Sequence, residues 1–279
     1  MSDKTGIAWT DATFNPWWGC TKVSPGCDHC YAERDAASFS PGVVLWGVDS
    51  TRRKFGDKHW DAPVKWNRKA EATGKRMRVF CASMADVFDK DGPESERERL
   101  WALIAATPML DWQLLTKRVG NVRRVAPWTY WPRNVWLGIS VVNQEEADRD
   151  IPKLKALPAH IRWLSIEPQL SRIDLCETFG MWWNQTMQCF EASGQAFDRS
   201  IDWVVVGGES GSRARPFDIT WARSIRDQCK AAGVAFFMKQ TGTDHALLYE
   251  RVQKNRAGAD PAEWPEDIRV REFPALTHG

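Results

Sequence analysis

Short, mainly apolar runs alternate along this chain with longer stretches in which apolar residues recur every three or four positions. Met77–Ala82 (MRVFCA), Trp112–Thr116 (WQLLT), Val135–Val141 (VWLGISV), Ile161–Ile166 (IRWLSI), Trp203–Val206 (WVVV) and Val234–Met238 (VAFFM) have strand length and little in–out alternation. That is the pattern of strands buried on both faces. Helical stretches lie between them. Tyr31 to about Phe39 reads as a short helix. Pro93 marks a helix start, with Glu94 and Glu96 in the first turn and Leu100, Trp101, Leu103 and Ile104 as the apolar stripe. Asn143, with Glu146 three residues on, predicts another start, which Pro152 is expected to interrupt. Trp221, Ala222, Ile225, Cys229 and Ala232 share one helical face that Gly233 ends.

Strands separated by helices imply a parallel sheet covered on both faces. Right-handed crossovers wind such a sheet into a full or partial (β/α) barrel, so the expected fold class is α/β. Residues 1–243 read as one barrel domain and residues 244–279 as a C-terminal extension. Residues 40–66 and 168–200 read as long connections inserted into the domain. Connections of that length in a compact domain are functional or flexible. Polar residues follow the apolar run of each strand: Ser83 and Asp86, Lys117 and Arg118, Ser140, Glu167, Gly207-Gly208-Glu209, and Lys239. In parallel barrels the site lies at the carboxyl ends of the strands, so these residues are expected to gather there with the segment that follows strand one. Most strands end in polar residues, so any one of these ends by itself carries little.

Composition narrows this picture slightly. No apolar run is long enough to span a membrane, and Met-Ser-Asp-Lys-Thr at the start has no apolar core of a signal peptide. A cytoplasmic protein is expected. A net charge of +2 neither demands nor excludes nucleic acid. The basic clusters Arg52-Arg53-Lys54, Lys117-Arg118 and Arg123-Arg124 read by default as solvated surface. There are 17 tryptophans. Trp112, Trp136, Trp163 and Trp203 fall in core strands, whereas the pairs Trp17-Trp18 and Trp182-Trp183 fall in loops, where indole faces suit base stacking.

The chemistry lies in the cysteines. Cys20, Cys27 and Cys30 have the spacing C-x6-C-x2-C in a loop containing Gly19, Pro25 and Gly26. Three thiolates from one loop can hold three irons of a four-iron cluster that normally takes four cysteines, leaving one iron open to another ligand. Gly19 would let the backbone pass close to the cluster. Zinc remains an alternative, but it needs four ligands and so one from far away. A disulfide pair also remains, although seven cysteines is an odd count, and a redox Cys-x-x-Cys would not need Cys20.

The segments FNPWWGC (14–20), CDHCYAE (27–33), SMADVF (83–88), LLTKR (114–118), LGISV (137–141), LSIEP (164–168) and VVVGGESG (204–211) cover, in order, most of the first 240 residues. In these the chain resembles a phage- and prophage-associated, three-cysteine-motif family of radical S-adenosylmethionine (SAM) proteins. The resemblance implies a four-iron four-sulfur cluster on Cys20, Cys27 and Cys30, with SAM on the open iron. It implies cleavage of SAM to a 5′-deoxyadenosyl radical that abstracts hydrogen from an unactivated carbon. His29 would lie beside the adenine. Ser83, Asp86, Ser140, Gly207 and Gly208 would bind the cofactor, and Lys117, Glu167 and Glu209 would be catalytic. The chain departs from the usual C-x3-C-x2-C spacing, and its Gly-Gly-Glu follows a late strand rather than the second. Ser83 to Asp86 would then take over the SAM amino group.

The phage association points to DNA or a modified nucleoside as substrate, for example a modified thymidine that is isomerised, rearranged or cleaved. A duplex base would have to be flipped out to react. An electron donor such as flavodoxin or ferredoxin would be needed. The alternative is a non-catalytic iron–sulfur or zinc module that partners a DNA-processing or phage-defence protein. Cys81, Cys176, Cys189 and Cys229 match no cluster motif, and core packing is the expected role for them.

Overall fold

A computed structural model describes residues 5–194, 196–244 and 255–275. In chain order its elements are β1 (Ala12–Thr13), β2 (Trp17–Trp18), α1 (Tyr31–Phe39), β3 (Arg53–Lys54), α2 (Asp57–Thr73), β4 (Met77–Cys81), α3 (Glu94–Ala106), β5 (Leu110–Thr116), α4 (Val122–Val125) and β6 (Val135–Ser140). They continue as α5 (Gln144–Lys155), β7 (Ile161–Ile166), β8 (Met181–Asn184), β9 (Cys189–Ala192), β10 (Trp203–Gly207), α6 (Ile219–Ala232) and β11 (Ala235–Gln240).

Seven strands form one sheet in the order β1-β4-β5-β6-β7-β10-β11. The pairs β1–β4, β4–β5, β7–β10 and β10–β11 run parallel. The fold is therefore α/β, built on the strands that the apolar runs predict. The strand order has two ends, β1 and β11, which is compatible with a partial barrel and not with a closed one. Among the described residues, no helix is long and apolar enough to cross a membrane.

The expected helices form, with three corrections. The stretch 40–66 is not connection throughout, because α2 begins within it at Asp57. The buried face of α2 is Trp60, Pro63, Trp66, Asn67 and Ala70. Its period is helical, but a proline and an asparagine hide it from an apolar count. The stretch 168–200 carries the antiparallel hairpin β8–β9, which presents Trp182 and Trp183 to solvent at 47% and 44% exposure. Pro152 lies inside α5 rather than ending it. Only three residues follow it, so the helix closes within one turn, where the Ala156 N–H donates to the Pro152 carbonyl. The helix start is as expected, since the Asn143 side chain accepts from the Glu146 N–H.

The chain divides into two compact units, Met1–Gly138 with Leu157–His160, and Ile139–Ala156 with Ile161–Gly279. In the first, Phe14 packs edge-on against Trp60 and Trp112, with ring centroids 5.1 and 5.8 Å away. In the second, Trp163 and Trp203 lie 5.3 Å apart, and the Trp203 indole N–H donates to the Glu272 carbonyl at 2.9 Å. Trp112, Trp136, Trp163 and Trp203 are all buried, as their strand positions predict. Residues 255–275 of the C-terminal extension lie along β11. The Met238 N–H donates to Val270 and the Glu272 N–H to Phe236, and Asp267 receives Arg223 and Arg226.

Candidate functional site

In the first unit the cysteine loop is assembled on the end of β4. Asn15, just after β1, accepts the Met84 N–H at 2.7 Å and donates to the Ser83 hydroxyl at 3.0 Å. β2 pairs antiparallel with β3, which places Trp17 opposite Lys54 and Trp18 opposite Arg53. Gly19 then turns with φ +116°, and a Cβ there would stand 2.5 Å from the Leu45 carbonyl oxygen. Glycine is required at this position by a neighbouring backbone, a different reason from the expected close approach to a cluster. Ser24 caps the short turn Pro25–Cys27 by accepting from the Gly26 N–H, and Cys30 leads into α1. The Tyr31 hydroxyl donates to the Ser83 carbonyl at 3.0 Å.

A buried charge network lies under this loop. Arg52 was expected at the surface, yet its side chain is only 4% exposed. It donates to the carbonyls of Leu45, Gly47 and Ser50, to the Thr21 hydroxyl at 3.0 Å and to Asp89 at 3.2 Å. Arg118, also read as surface, is equally drawn in. It donates to Asp86 at 2.9 Å, to the Cys20 sulfur at 3.5 Å and to the Thr21 carbonyl, and its Nε lies 3.7 Å from Asp89. Asp86 further accepts from the Thr116 hydroxyl, the Lys117 N–H and the Phe88 N–H. Its lone pairs are thus engaged by the protein, which makes it an organiser of the loop. Only Arg53 and Lys54 of the basic triplet are exposed.

The thiols feel these surroundings. Burial, helped by Asp86, pushes Cys20 up to about 12 against the pull of Arg118. Burial also raises Cys30, against the amides of Glu33 and Ala32 and the charge of Lys117. All seven cysteines are free, and Cys20, Cys27, His29 and Cys30 are each half-buried. Among the described residues, no set of three or more His, Cys, Asp or Glu side chains is gathered into a group that could hold a metal ion. The donor types nevertheless match an iron–sulfur cluster, three uncrosslinked thiols on one loop, although burial holds Cys20 and Cys30 toward the thiol against the cations and amides beside them.

The remaining expected residues belong to the second unit. Glu167, at the end of β7, pairs with Lys239 of β11. Its other carboxylate oxygen, Oε1, is buried without a hydrogen-bond partner. The Ser140 hydroxyl donates to the Glu167 carbonyl at 3.4 Å. Gly208 is pressed against β11, since a Cβ there would stand 2.3 Å from the Thr241 carbonyl oxygen. Gly207 precedes it at the end of β10, and the Gly208 N–H donates to the Gln240 carbonyl. Glu209 is clamped by Arg215, which donates from Nη2 at 2.6 Å, from Nε at 3.0 Å and from its backbone N–H at 2.9 Å. Of the four other cysteines, Cys81 and Cys229 are core residues as expected, but Cys176 is half-buried and Cys189 exposed.

Sequence reasoning passed over Arg52, Asp89, Asn15 and the contacts of Arg118. Charge clusters carry no mark of burial. The available hint was that Arg118 and Asp86 both follow β-strands that are neighbours in the sheet. Residues 4–265 match the family described as protein of unknown function (DUF5131), and the chain belongs to that family. Neither curated proteins nor solved structures give a significant match.

Proposed function

Starting from membership of a family without an assigned activity, we propose that this protein is a radical SAM enzyme whose four-iron four-sulfur cluster is held by Cys20, Cys27 and Cys30. One observation carries the reading: three free thiols share a loop that the protein braces from beneath with buried arginines. Such a cluster, with SAM bound, supplies reductive cleavage of the sulfonium and a carbon radical that abstracts hydrogen. Within the first unit the chain's own residues orient and shield. Arg52 and Arg118 fix the loop backbone, Ser83 is set by Asn15, and His29 and Lys117 flank the thiols in sequence or in charge.

A nucleic-acid base is the substrate class we favour. Beside the cysteine loop, Arg53 lies 4.8 Å over the Trp18 ring and 5.5 Å over Phe55. Phe55 stacks on His59 at 4.2 Å, and Phe39 is largely exposed. Aromatic faces interleaved with a guanidinium suit stacked bases and phosphates. The exposed Trp182 and Trp183 offer the same chemistry on the second unit.

The test is anaerobic reconstitution with iron and sulfide, then dithionite and SAM. We expect a brown protein that forms 5′-deoxyadenosine, and a Cys20/Cys27/Cys30→Ala triple variant that binds no iron while keeping its circular dichroism. Iron retained by the triple variant rejects the ligand assignment. A brown protein that forms no 5′-deoxyadenosine is a structural or electron-carrying module instead, and a colourless protein that takes up zinc is a zinc module.

A further inference from the structure

Arg118 stands out because its guanidinium meets both the sulfur and the backbone of one proposed ligand segment. One face donates to the Cys20 sulfur at 3.5 Å and to Asp86 at 2.9 Å from the same nitrogen. The other terminal nitrogen donates to the Thr21 carbonyl, next in the chain to Cys20. Nε points toward Asp89 at 3.7 Å. Asp86 is itself fixed by the Thr116 hydroxyl at 2.9 Å and the Lys117 N–H at 3.1 Å, so the fork is held from behind by the end of β5. Neither Cys27 nor Cys30 has a guanidinium hydrogen bond among the described contacts. Cys30 instead has the amides at the start of α1 and the charge of the neighbouring Lys117.

We propose that Arg118 is a positioning residue for the cluster: its planar fork holds the Cys20 sulfur and the Thr21 backbone in one orientation and places a fixed positive charge on that ligand. The inference rests on the cluster reading of the three cysteines. A planar guanidinium can bridge sulfur, carbonyl and carboxylate at once, whereas an ammonium is a point charge that cannot. Groups behind a metal ligand set its orientation and basicity. Hydrogen bonds to cluster sulfurs and nearby charge set the reduction potential. Reduction adds negative charge, which a donor and a cation at the thiolate stabilise, so Arg118 raises the potential of this cluster relative to a neutral residue.

The experiment compares wild type, Arg118→Gln and Arg118→Lys after anaerobic reconstitution. It reads iron and sulfide content, loss of iron to a chelator, the midpoint potential by dye-mediated titration and the electron paramagnetic resonance of the reduced protein. Arg118→Gln is expected to bind iron but to lose it on the order of 10-fold faster, with a more negative midpoint and an altered resonance. Arg118→Lys restores the charge without the fork, so its midpoint moves back toward wild type while the faster iron loss persists. A potential and resonance equal to wild type in folded Arg118→Gln, or iron retention equal to wild type in folded Arg118→Lys, overturns the inference and leaves the cluster intact. Failure of the wild-type protein to take up iron rejects the cluster reading itself, and this inference with it. If Arg118→Gln does not fold by circular dichroism, Arg118→Lys decides through iron loss: wild-type retention overturns the inference.

Discussion

The two compact units each hold a cluster of charged residues at strand ends, and the clusters differ in what they leave available. In the first unit Arg52, Arg118, Asp86 and Asp89 engage one another and the loop backbone, although the Arg52 Nε is buried without a hydrogen-bond partner. What remains for chemistry there is the set of free thiols that those charges support. In the second unit Glu209 is fully clamped by Arg215, but Glu167 has one oxygen bound to Lys239 and one buried without a partner. A charged residue at a strand end is thus a candidate only after its partners are counted. By that count Asp86 and Glu209 hold structure, whereas the thiols and Glu167 retain capacity for a ligand.

The contrast is broken most forcefully at Arg52. Removing one partner of a buried pair leaves the other charge uncompensated, typically at a cost of about 3–5 kcal/mol. Arg52 and Asp89 have side-chain exposures of only 4% and 1%. Arg52→Ala is therefore expected to lose about that much stability in urea unfolding, together with order in residues 45–52. The matching change in the second unit, Lys239→Ala, frees a more exposed partner and is expected to cost about 2 kcal/mol. Equal losses in the two variants would mean that the first network is no more integral to the fold than the second.

The basic triplet gives a finer comparison, because Arg52 is buried while Arg53 and Lys54 are exposed. If duplex DNA is bound here, Arg53→Ala with Lys54→Ala should flatten the log–log salt dependence of binding by up to about 2, at roughly 0.9 per phosphate contact. Titrations of labelled duplex at several salt concentrations measure this. An unchanged slope removes these residues from any DNA contact.

The smallest effect concerns the C-terminal extension. The Arg223 hydrogen bond holds the Asp267 carboxyl down at about 2 against partial burial, with help from Arg226. A carboxyl depressed in the folded state stabilises it above the ordinary carboxylate value and loses that contribution as pH falls through the folded value. Amide exchange in residues 258–272 should therefore quicken between about pH 4 and pH 2, and Asp267→Asn should abolish that pH step. The same step in the variant would assign it to another group.

Much of this protein was determined by its sequence alone. The apolar runs predict every long strand of the sheet, because a strand buried on both faces has no polar alternation to obscure it. Asn143 and Gly233 mark their helix ends because capping is local chemistry, set by the Asn143 side chain accepting a nearby N–H and by the left-handed backbone at Gly233. The spacing of Cys20, Cys27 and Cys30 is likewise visible without coordinates. Tertiary structure alone decided which charges are inside. Arg52 and Arg53 are adjacent and chemically identical, yet one anchors a loop through Asp89, 37 positions away, and the other faces solvent over Trp18. The partners that decide between those fates, Asp89 and Trp18, come from segments distant in the sequence. Burial of a charge depends on such long-range pairing, which no local pattern of residues encodes.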